Sequence, residues 1–383
     1  MQSAAAYPLS ARVQASAAPP IPRAAEWATR YRPTRSDSDD GALINLSQGV
    51  PGAPPPPQML EKLADATRDP ATTGYGPLAG DSSLRTAVAQ HLGQLYAVPD
   101  HDDKGRRISA ENAFYATMLA LAEPGDEIIL PTPWYFNAHM TIQQLGLTPV
   151  PLPCPAPSFL PSPEDCARLI NPQKTRAIVL VTPNNPTGAI YPPELLRQFA
   201  NLAQEHKIAL VLDETYRDFV AAPPHDLFAE TDWPTYLIHL FSFSKSYAIP
   251  GHRLGGLVAS RTFLSQISKL LDCMQICPAR PAQRAVEWAI TGLAEWRRET
   301  REQLQDRQRV RHPFKGASSE LVSQRLAEQV GIVTLPGTFF SPPFANPEQD
   351  DRYIRFSIAN VDEATLRKVP ARLEKLNKLW HAL

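Results

Sequence analysis

Hydrophobic residues change their spacing along the chain, and the change predicts where helices give way to strands. Between residues 84 and 96, apolar side chains recur at helical spacing directly after Asp81-Ser82-Ser83, a helix-start signal. From about 110 to 260 the pattern becomes short, nearly continuous apolar runs, with helical stretches such as 194–206 between them. The runs span 127–130, 177–181, 208–212, 237–241 and 256–259. Such runs are typical of strands buried on both faces, so we predict an α/β fold with a mainly parallel sheet covered by helices.

Polar residues follow three of these predicted strands. Residues 184–188 come after the run 177–181, residues 213–216 after the run 208–212, and residues 242–245 after the run 237–241. Open α/β sheets bind ligands in the crevice beyond the carboxyl ends of their strands. We therefore expect these three polar segments to line one crevice.

Composition excludes several classes of protein. The chain has 383 residues, of which 43% are hydrophobic and 20% charged, and this is typical of a globular protein of about two or three domains. Its 38 basic and 39 acidic residues lack the excess of positive charge that nucleic-acid binding needs. No apolar run approaches the ~18 residues of a membrane helix. We expect a soluble intracellular protein with neither nucleic acid nor a membrane as its partner.

Cysteine spacing predicts no metal site. Cys154, Cys166, Cys273 and Cys277 include no C-x-x-C pair and have no histidine at ligand spacing. Free thiols are typical of a reducing compartment.

The first 40 residues differ in composition from the rest. Residues 1–25 are rich in alanine, serine and proline, and no acidic residue precedes Glu26. Targeting peptides share this composition, but Pro8, Pro19, Pro20 and Pro22 interrupt an amphipathic helix. Residues 1–40 are therefore predicted to be a disordered or targeting tail. The expected location is the cytoplasm, with the mitochondrion as the alternative.

Lys245 stands out because it follows a buried strand in the pattern Ser242-x-Ser244-Lys245. Arg253 lies eight residues later beside glycines, and two hydroxyls with a guanidinium can hold a phosphate. A lysine beside a phosphate site suggests a Schiff base to pyridoxal phosphate (PLP). Asp213 fits as the partner of a protonated pyridine nitrogen. Taken singly, each residue also fits a surface lysine, a helix cap or a turn.

Seven ordered segments resemble the class I and II aminotransferases of PLP fold type I, and the resemblance extends from about residue 42 to the C-terminus. The segments are Gly74-Tyr75-Gly76-Pro77-Leu78-Ala79-Gly80, Pro131-Thr132-Pro133-Trp134-Tyr135, Asn184-Asn185-Pro186-Thr187-Gly188, Asp213-Glu214-Thr215-Tyr216, Ser242-Phe243-Ser244-Lys245, Gly251-His252-Arg253-Leu254-Gly255 and Tyr353-Ile354-Arg355-Phe356-Ser357.

The resemblance implies a large domain with a seven-stranded sheet between helices, and a smaller α+β domain built from both chain ends. The expected boundaries are 41–72 for an N-terminal arm and part of the small domain, 73–275 for the large domain and 276–383 for the rest of the small domain. It also implies a homodimer that acts in amino acid metabolism.

The resemblance further assigns roles to individual residues. It makes Lys245 the Schiff-base lysine and proton shuttle, and Asp213 the partner of the pyridine nitrogen. It places Tyr216 and Asn185 at the ring hydroxyl, and Tyr135 stacked on the ring. It places Ser242, Ser244 and Arg253 at the phosphate, with Asn112 in a phosphate turn. It places Tyr75 at the phosphate of the neighbouring subunit's cofactor. The implied substrate contacts are Arg355 and Gly49 at the carboxylate, with Asn185 nearby.

Two segments depart from the family pattern. The phosphate turn within 108–114 is shorter by about two residues, lacks glycine and places Glu111 near the phosphate. A charged helix is predicted to run from about 282 to 309 directly into 310–314, so that the small domain lacks a strand near 309–310.

The function predicted from these residues is transamination between an α-amino acid and a 2-oxo acid. Trp134 and Phe136 give a mild preference for an aromatic or bulky apolar substrate, although they fit core positions equally well. Two alternatives stay open. One is a PLP-dependent lyase or an aminocyclopropane-carboxylate-synthase-like enzyme of the same fold, and the other is a non-catalytic paralogue with impaired PLP binding.

Overall fold

A computed structural model describes residues 7–33, 41–98, 106–110, 113–221, 223–305, 317–343 and 351–381. The chain forms two compact units. The larger contains Met1–Ala17 and Pro55–Gln303, and the smaller contains Ala18–Pro54 and Leu304–Leu383. No helix of the described segments is long and apolar enough to cross a membrane.

The helices are α1 (Ala11–Ala15), α2 (Pro20–Ala28), α3 (Pro57–Arg68), α4 (Ser82–Leu95), α5 (Ala113–Leu121), α6 (Phe136–Gln144), α7 (Pro163–Leu169), α8 (Pro193–His206), α9 (Phe243–Ser246), α10 (Arg261–Met274), α11 (Arg280–Gly292), α12 (Ala294–Gln305), α13 (Ser319–Val330), α14 (Glu363–Leu366) and α15 (Val369–His381). The strands are β1 (Ile44–Asn45), β2 (Arg106–Ala110), β3 (Glu127–Thr132), β4 (Thr148–Pro153), β5 (Thr175–Val181), β6 (Ala209–Asp213), β7 (Leu237–Ser242), β8 (Leu254–Val258), β9 (Ile332–Val333), β10 (Leu335–Pro336) and β11 (Ile354–Arg355).

A seven-stranded sheet forms the centre of the larger unit, in the order β2-β8-β7-β6-β5-β3-β4. Strands β3 to β7 are parallel to their neighbours in this set, whereas β8 runs antiparallel to both β7 and β2. Each of the five apolar runs overlaps one of these strands, with shifts of at most one residue beyond a strand end. The prediction of a mainly parallel seven-stranded sheet is confirmed.

Helices cover both faces of this sheet because successive strand residues point to opposite sides. Leu210 and Leu212 belong to the hydrophobic cluster that includes α4, α8 and α11, whereas Val211 belongs to the cluster that includes α5, α6 and α10. Both faces are apolar, which explains why these strands show continuous rather than alternating hydrophobicity.

The larger unit extends beyond the predicted range of 73–275. Helix α11 packs against α3 and α4, and its buried residues Val286 and Ala289 share one hydrophobic cluster with Leu63. Residues 55–72 and 276–303 therefore belong to the larger unit, because their apolar faces complete its core.

The smaller unit has two short sheets around one hydrophobic cluster. Strand β1 pairs with β9 in parallel, and β10 pairs with β11 in antiparallel orientation. Ile44, Leu326 and Leu376 contribute to the cluster from β1, α13 and α15. Both ends of the chain supply elements of this unit, as the resemblance implied.

Two helices, α1 and α2, lie within residues 1–40, the segment predicted to be a disordered or targeting tail. Helix α2 packs against α13 and β9, with Ala24 and Trp27 buried and Trp27 stacked on Phe339 at 6.3 Å. The prolines do not prevent this helix, since Pro20 and Pro22 lie in its first turn, where proline's missing N–H costs no intrahelical hydrogen bond.

The prediction of one helix from 282 to 309 is also wrong. Helix α11 ends at Gly292, and α12 begins at Ala294 after a break at Leu293. The buried Leu293 side chain joins the core of the larger unit, so the chain turns to bury it. The predicted loss of a strand near 309–310 lies outside the described residues.

Replacing the buried Trp27 tests whether α2 is part of the folded protein. We expect Trp27→Ala to lower the free energy of unfolding by about 3 kcal/mol, because a large buried aromatic side chain is lost. Urea unfolding followed by circular dichroism measures this. The control is Val13→Ala in α1, whose side chain is exposed and whose loss should change stability by less than about 0.5 kcal/mol. Equal stability of wild type and Trp27→Ala would contradict the packing of α2.

Candidate active site

The carboxyl ends of β5, β6 and β7 lie at one edge of the large sheet because the strands are in register there. Val181 pairs with Asp213, Asp213 with Leu240, and Ser242 with Gly255 at the start of β8. The segments that follow the three parallel strands therefore leave the sheet at the same edge, as expected from the sequence.

Asp213 ends β6 with an oriented carboxylate. Its Oδ1 accepts hydrogen bonds from the Thr215 backbone N–H at 2.9 Å and from Thr215 Oγ1 at 2.6 Å. Because both bonds use one oxygen, the second oxygen can accept a proton donor from a bound ligand. Burial raises the pKa of Asp213, the Thr215 bonds oppose the rise, and the negative charge of Glu214 adds to it. Tyr216 follows this turn, half-buried, at the same edge.

The segment 182–188 reaches this edge through a turn held by Asn184. Asn184 Oδ1 accepts from the backbone N–H of Thr187 at 3.2 Å and from its hydroxyl at 2.8 Å. The backbone N–H of Thr182 donates to the Asp213 carbonyl at 3.0 Å and ties the start of the turn to β6. The half-buried Asn185 is thereby placed beside the end of β6.

The turn after β7 carries Lys245 and a buried hydroxyl. Ser242 Oγ accepts from the backbone N–H of Ser244 at 3.1 Å and caps the single-turn helix α9, in which Lys245 lies. The Ser244 side chain is 1% exposed, and its hydroxyl has no hydrogen-bond partner within the part of the chain that the structure describes. A buried hydroxyl without a partner is costly, so this group is suited to a polar ligand.

Arg253 directly precedes β8 and has a left-handed backbone conformation, with φ 54° and ψ 45°. Its Nη1 donates to the Pro250 carbonyl at 2.9 Å. Gly256 lies just beyond, where a Cβ would collide with the ring of Phe241 on β7. Glycine at this position lets β8 pack closely against β7 and keeps Arg253 at the carboxyl edge.

The three aromatic residues that follow β3 differ in burial. Trp134 is buried and stacks on His139 with the ring centroids 4.4 Å apart, and Phe136 is buried in α6. Tyr135 between them is half-buried at the start of α6. Trp134 and Phe136 are thus core residues, which removes the basis for preferring a bulky apolar substrate.

Three further residues of the predicted site belong to other segments of the chain. Tyr75 is 79% exposed on the larger unit. In the smaller unit, the Arg355 guanidinium donates to the Ser47 carbonyl and lies 5.1 Å from the centre of the Phe340 ring, which places it beside the segment that contains Gly49. Asn112 and Glu111, and with them the shortened phosphate turn, lie outside the described residues.

Sequence reasoning missed a buried polar cluster behind Asp213. The Glu214 carboxylate is fully buried and meets the side chains of Tyr96, His225 and His239. In the sequence, only the acidic Glu214 directly after Asp213 hints at this cluster. No local pattern links Glu214 to His225 and His239, which lie 11 and 25 positions later.

Comparison with known proteins gives consistent matches. The family profile described as aminotransferase class I and II matches residues 42–317. The aromatic aminotransferase ISS1 of Arabidopsis thaliana is 27% identical over 88% of this chain and 91% of its own length. An aspartate aminotransferase of Pyrococcus horikoshii is 29% identical over 87% of this chain and 90% of its own length. The structure of substrate-bound BacF from Bacillus subtilis has a TM-score of 0.83 over 97% of this chain and 98% of that chain, at 22% identity, which supports the fold.

Replacing the two serines of the 242–245 turn by alanine should have different effects on the free energy of unfolding. We expect Ser244→Ala to leave the free energy of unfolding of the ligand-free protein unchanged or to raise it by up to about 1 kcal/mol, because it removes a buried hydroxyl that has no partner. Ser242→Ala should lower that free energy by about 1 kcal/mol, because it removes the cap of α9. Urea unfolding of both variants beside wild type measures the pair. A clear loss of stability in Ser244→Ala would show that its hydroxyl is already bonded.

Proposed function

Since the chain belongs to the class I and II aminotransferase family, it is a transferase of amino groups, and we propose that it holds PLP at the carboxyl edge of the large sheet. The reaction is transamination between an α-amino acid and a 2-oxo acid. The observation that carries the proposal is the register of β5, β6 and β7, which brings Asp213 and the turn with Lys245 to one edge. The named relatives are aminotransferases, which supports the same reaction.

The residues at this edge fit the chemical groups of PLP. The buried hydroxyl of Ser244 gains a hydrogen-bond partner if it donates to a phosphate oxygen. Ser242, at the end of β7, and Arg253, just before β8, flank the same connection between the two strands. The oriented carboxylate of Asp213 suits a protonated pyridine nitrogen. Tyr216 and Asn185 are the proposed donors to the ring hydroxyl, and Tyr135 the residue stacked on the ring.

Lys245 performs the proton transfer in this proposal. Bound PLP supplies an electron-withdrawing ring that stabilises the negative charge left when the substrate Cα loses its proton. With PLP bound, Lys245 would be the residue that holds it through Nζ. Once a substrate is bound, the Lys245 Nζ would take the proton from the substrate Cα and act as the proton shuttle of the site. Asp213 keeps the proton on the ring nitrogen during this transfer.

Arg355 binds the substrate carboxylate in this proposal. Its planar guanidinium can donate two parallel hydrogen bonds to a carboxylate, which lysine cannot. The contact with the Ser47 carbonyl and the Phe340 ring orients the guanidinium. Gly49, in the segment beside it, is the proposed backbone contact.

A homodimer belongs to the same proposal. Tyr75 exposes most of a large aromatic side chain, in a segment that resembles the family's contact to the neighbouring subunit's cofactor phosphate. An exposed aromatic that carries a hydrogen-bonding hydroxyl is suited to an interface of this kind.

Replacing Lys245 tests the reaction. We expect wild-type protein to develop an absorbance band of lysine-bound cofactor when PLP is added, and the band to bleach with an amino acid and return with a 2-oxo acid. Lys245→Ala should not complete this cycle, because the amine that moves the proton is gone. The control is Lys269→Ala, since Lys269 lies on the exposed side of α10. Release of ammonia and a 2-oxo acid without any acceptor would instead favour the lyase, and failure of wild type to retain PLP would favour the non-catalytic protein.

Replacing Arg355 tests the carboxylate contact. We expect Arg355→Lys to lower kcat/KM for every amino acid that the enzyme uses by roughly 30-fold, the equivalent of about 2 kcal/mol, because a bidentate charged contact becomes a single one. Arg367→Lys is the matched control, because Arg367 pairs with Glu363 on the exposed surface of the same unit. Steady-state kinetics with saturating 2-oxo acid measure both. An unchanged kcat/KM in Arg355→Lys would remove this residue from the substrate site.

A further inference from the structure

Glu214 is a fully buried carboxylate that follows the proposed partner of the ring nitrogen by one residue. A buried carboxylate is costly unless several donors satisfy it, so its presence here needs an explanation. Its side chain lies on the face of Leu212, among residues of the hydrophobic cluster that includes Tyr96, Phe228 and Phe241. Asp213 lies on the opposite face, because adjacent residues of an extended strand alternate.

Three side chains converge on one oxygen of Glu214. The Tyr96 hydroxyl donates to Oε2, His239 Nε2 lies 2.8 Å from the same atom, and His225 Nε2 lies 3.3 Å from it. These groups come from the end of α4, from β7 and from the segment after β6. The carboxylate therefore joins three separate elements behind the site.

Two imidazoles face the Glu214 carboxylate in this cluster. His225 Nδ1 accepts a hydrogen bond from the Leu227 backbone N–H at 3.2 Å, and its Nε2 lies 3.3 Å from Glu214 Oε2. Burial lowers the pKa of His239 to about 4, which leaves its ring neutral at pH 7 with Nε2–H donating to Glu214. Burial raises the pKa of Glu214, but the contacts with His225 and His239 lower it by more, and the group stays ionised. The ionised Glu214 carboxylate is thus a buried negative charge.

Further charged groups surround the cluster, and they pair among themselves. Arg217 is buried, with its guanidinium 4.2 Å from the centre of the Phe241 ring, and its Nε lies 4.0 Å from Asp218. Asp218 in turn faces His91 of α4 at 4.0 Å. Arg297 of α12 donates to the hydroxyl of Tyr247. Arg217 therefore lies next to the cluster and close to Asp218, and its positive charge adds to the lowering of the His239 pKa by burial and opposes the rise that burial causes in the pKa of Tyr96.

The backbone transmits the position of Glu214 to Asp213. The Glu214 N–H donates to the Leu240 carbonyl at 2.9 Å, and the Asp213 carbonyl accepts from Thr182 N–H at 3.0 Å. These two bonds hold the two residues between β7 and β5. With the Glu214 side chain fixed on the opposite face, rotation of this peptide would break contacts on both sides of the sheet.

We propose that Glu214 is a positioning residue for Asp213: it fixes the end of β6 from the far face of the sheet, and its buried negative charge favours the protonated state of the cofactor ring nitrogen that Asp213 faces. This inference rests on the proposed function. The charge acts through a dry region in which electrostatic interactions are weakly screened. Tyr96, His225 and His239 act one step further away, by holding the carboxylate ionised.

Two substitutions separate position from charge. Glu214→Gln keeps the shape of the side chain and removes its charge, whereas Glu214→Asp keeps the charge and shortens the reach to the three donors. We measure the dissociation constant of PLP and the pH at which the absorbance band of lysine-bound cofactor titrates, together with the unfolding of the cofactor-free protein. A nearby negative charge stabilises the cationic form of the titrating cofactor group. Removing the charge of Glu214 should therefore lower the pH midpoint of the titration.

We expect Glu214→Gln to bind PLP about tenfold more weakly and to lower the titration midpoint by about 0.5 pH unit. Glu214→Asp should weaken PLP binding as well, with a midpoint close to that of wild type. If Glu214→Gln folds and keeps both wild-type values, or if its affinity falls with no change of midpoint, Glu214 has only a structural role and the proposal fails.

Tyr96→Phe provides a further test that removes a single donor and no charge. It should weaken PLP binding about two- to threefold without moving the midpoint, and an unchanged affinity would overturn the positioning role even if Glu214→Gln did not fold. Wild-type protein that binds no PLP would overturn the proposed function and this inference together. Wild type that binds PLP beside an unaffected Glu214→Gln would overturn only the inference.

Discussion

The hydrogen-bond register of β5, β6 and β7 is the constraint on which the candidate site depends. It sets Val181, Asp213 and Leu240 side by side, so that three loops distant in sequence leave the sheet together. A shift of one residue in β6 would turn Asp213 toward the face that now holds Glu214. Since both faces of these strands are packed by helices, such a shift would also misplace every apolar side chain of β6. Core packing therefore determines the orientation of the Asp213 carboxylate.

The two carboxylates at the end of β6 lie on opposite faces of the sheet. One face is partly exposed and is the proposed ligand side, and the other is buried. Asp213 keeps partial exposure and is oriented by Thr215, whereas Glu214 is fully buried and is held through Oε2 by Tyr96 and His239. Burial by itself raises the pKa of a carboxyl group, and only converging donors reverse this for Glu214. Two adjacent carboxylates thus differ in environment because the strand presents them in opposite directions.

The smaller unit shows how distant segments of the chain form one core. Helix α2 supplies Trp27 to it, β1 pairs with β9, and Arg355 on β11 is oriented by the Ser47 carbonyl. The guanidinium thus depends on a pairing between residues about 300 positions apart. The orientation of the Arg355 guanidinium is accordingly expected to be sensitive to the packing of the segment that contains Ser47.

Sequence alone determined the fold class, the five central strands and the order of the site motifs, because burial on both faces and turn composition leave local patterns in the chain. It misjudged the prolines of α2, whose effect depends on their place in the first turn, and the break at Leu293, whose cause is the core that receives this side chain. It left Trp134 open between pocket and core. Only the tertiary structure assigned that residue to the core, left Ser244 with a buried hydroxyl, and brought His225 and His239 to Glu214. These features depend on contacts between residues far apart in the chain, and such contacts leave no periodic pattern in the sequence.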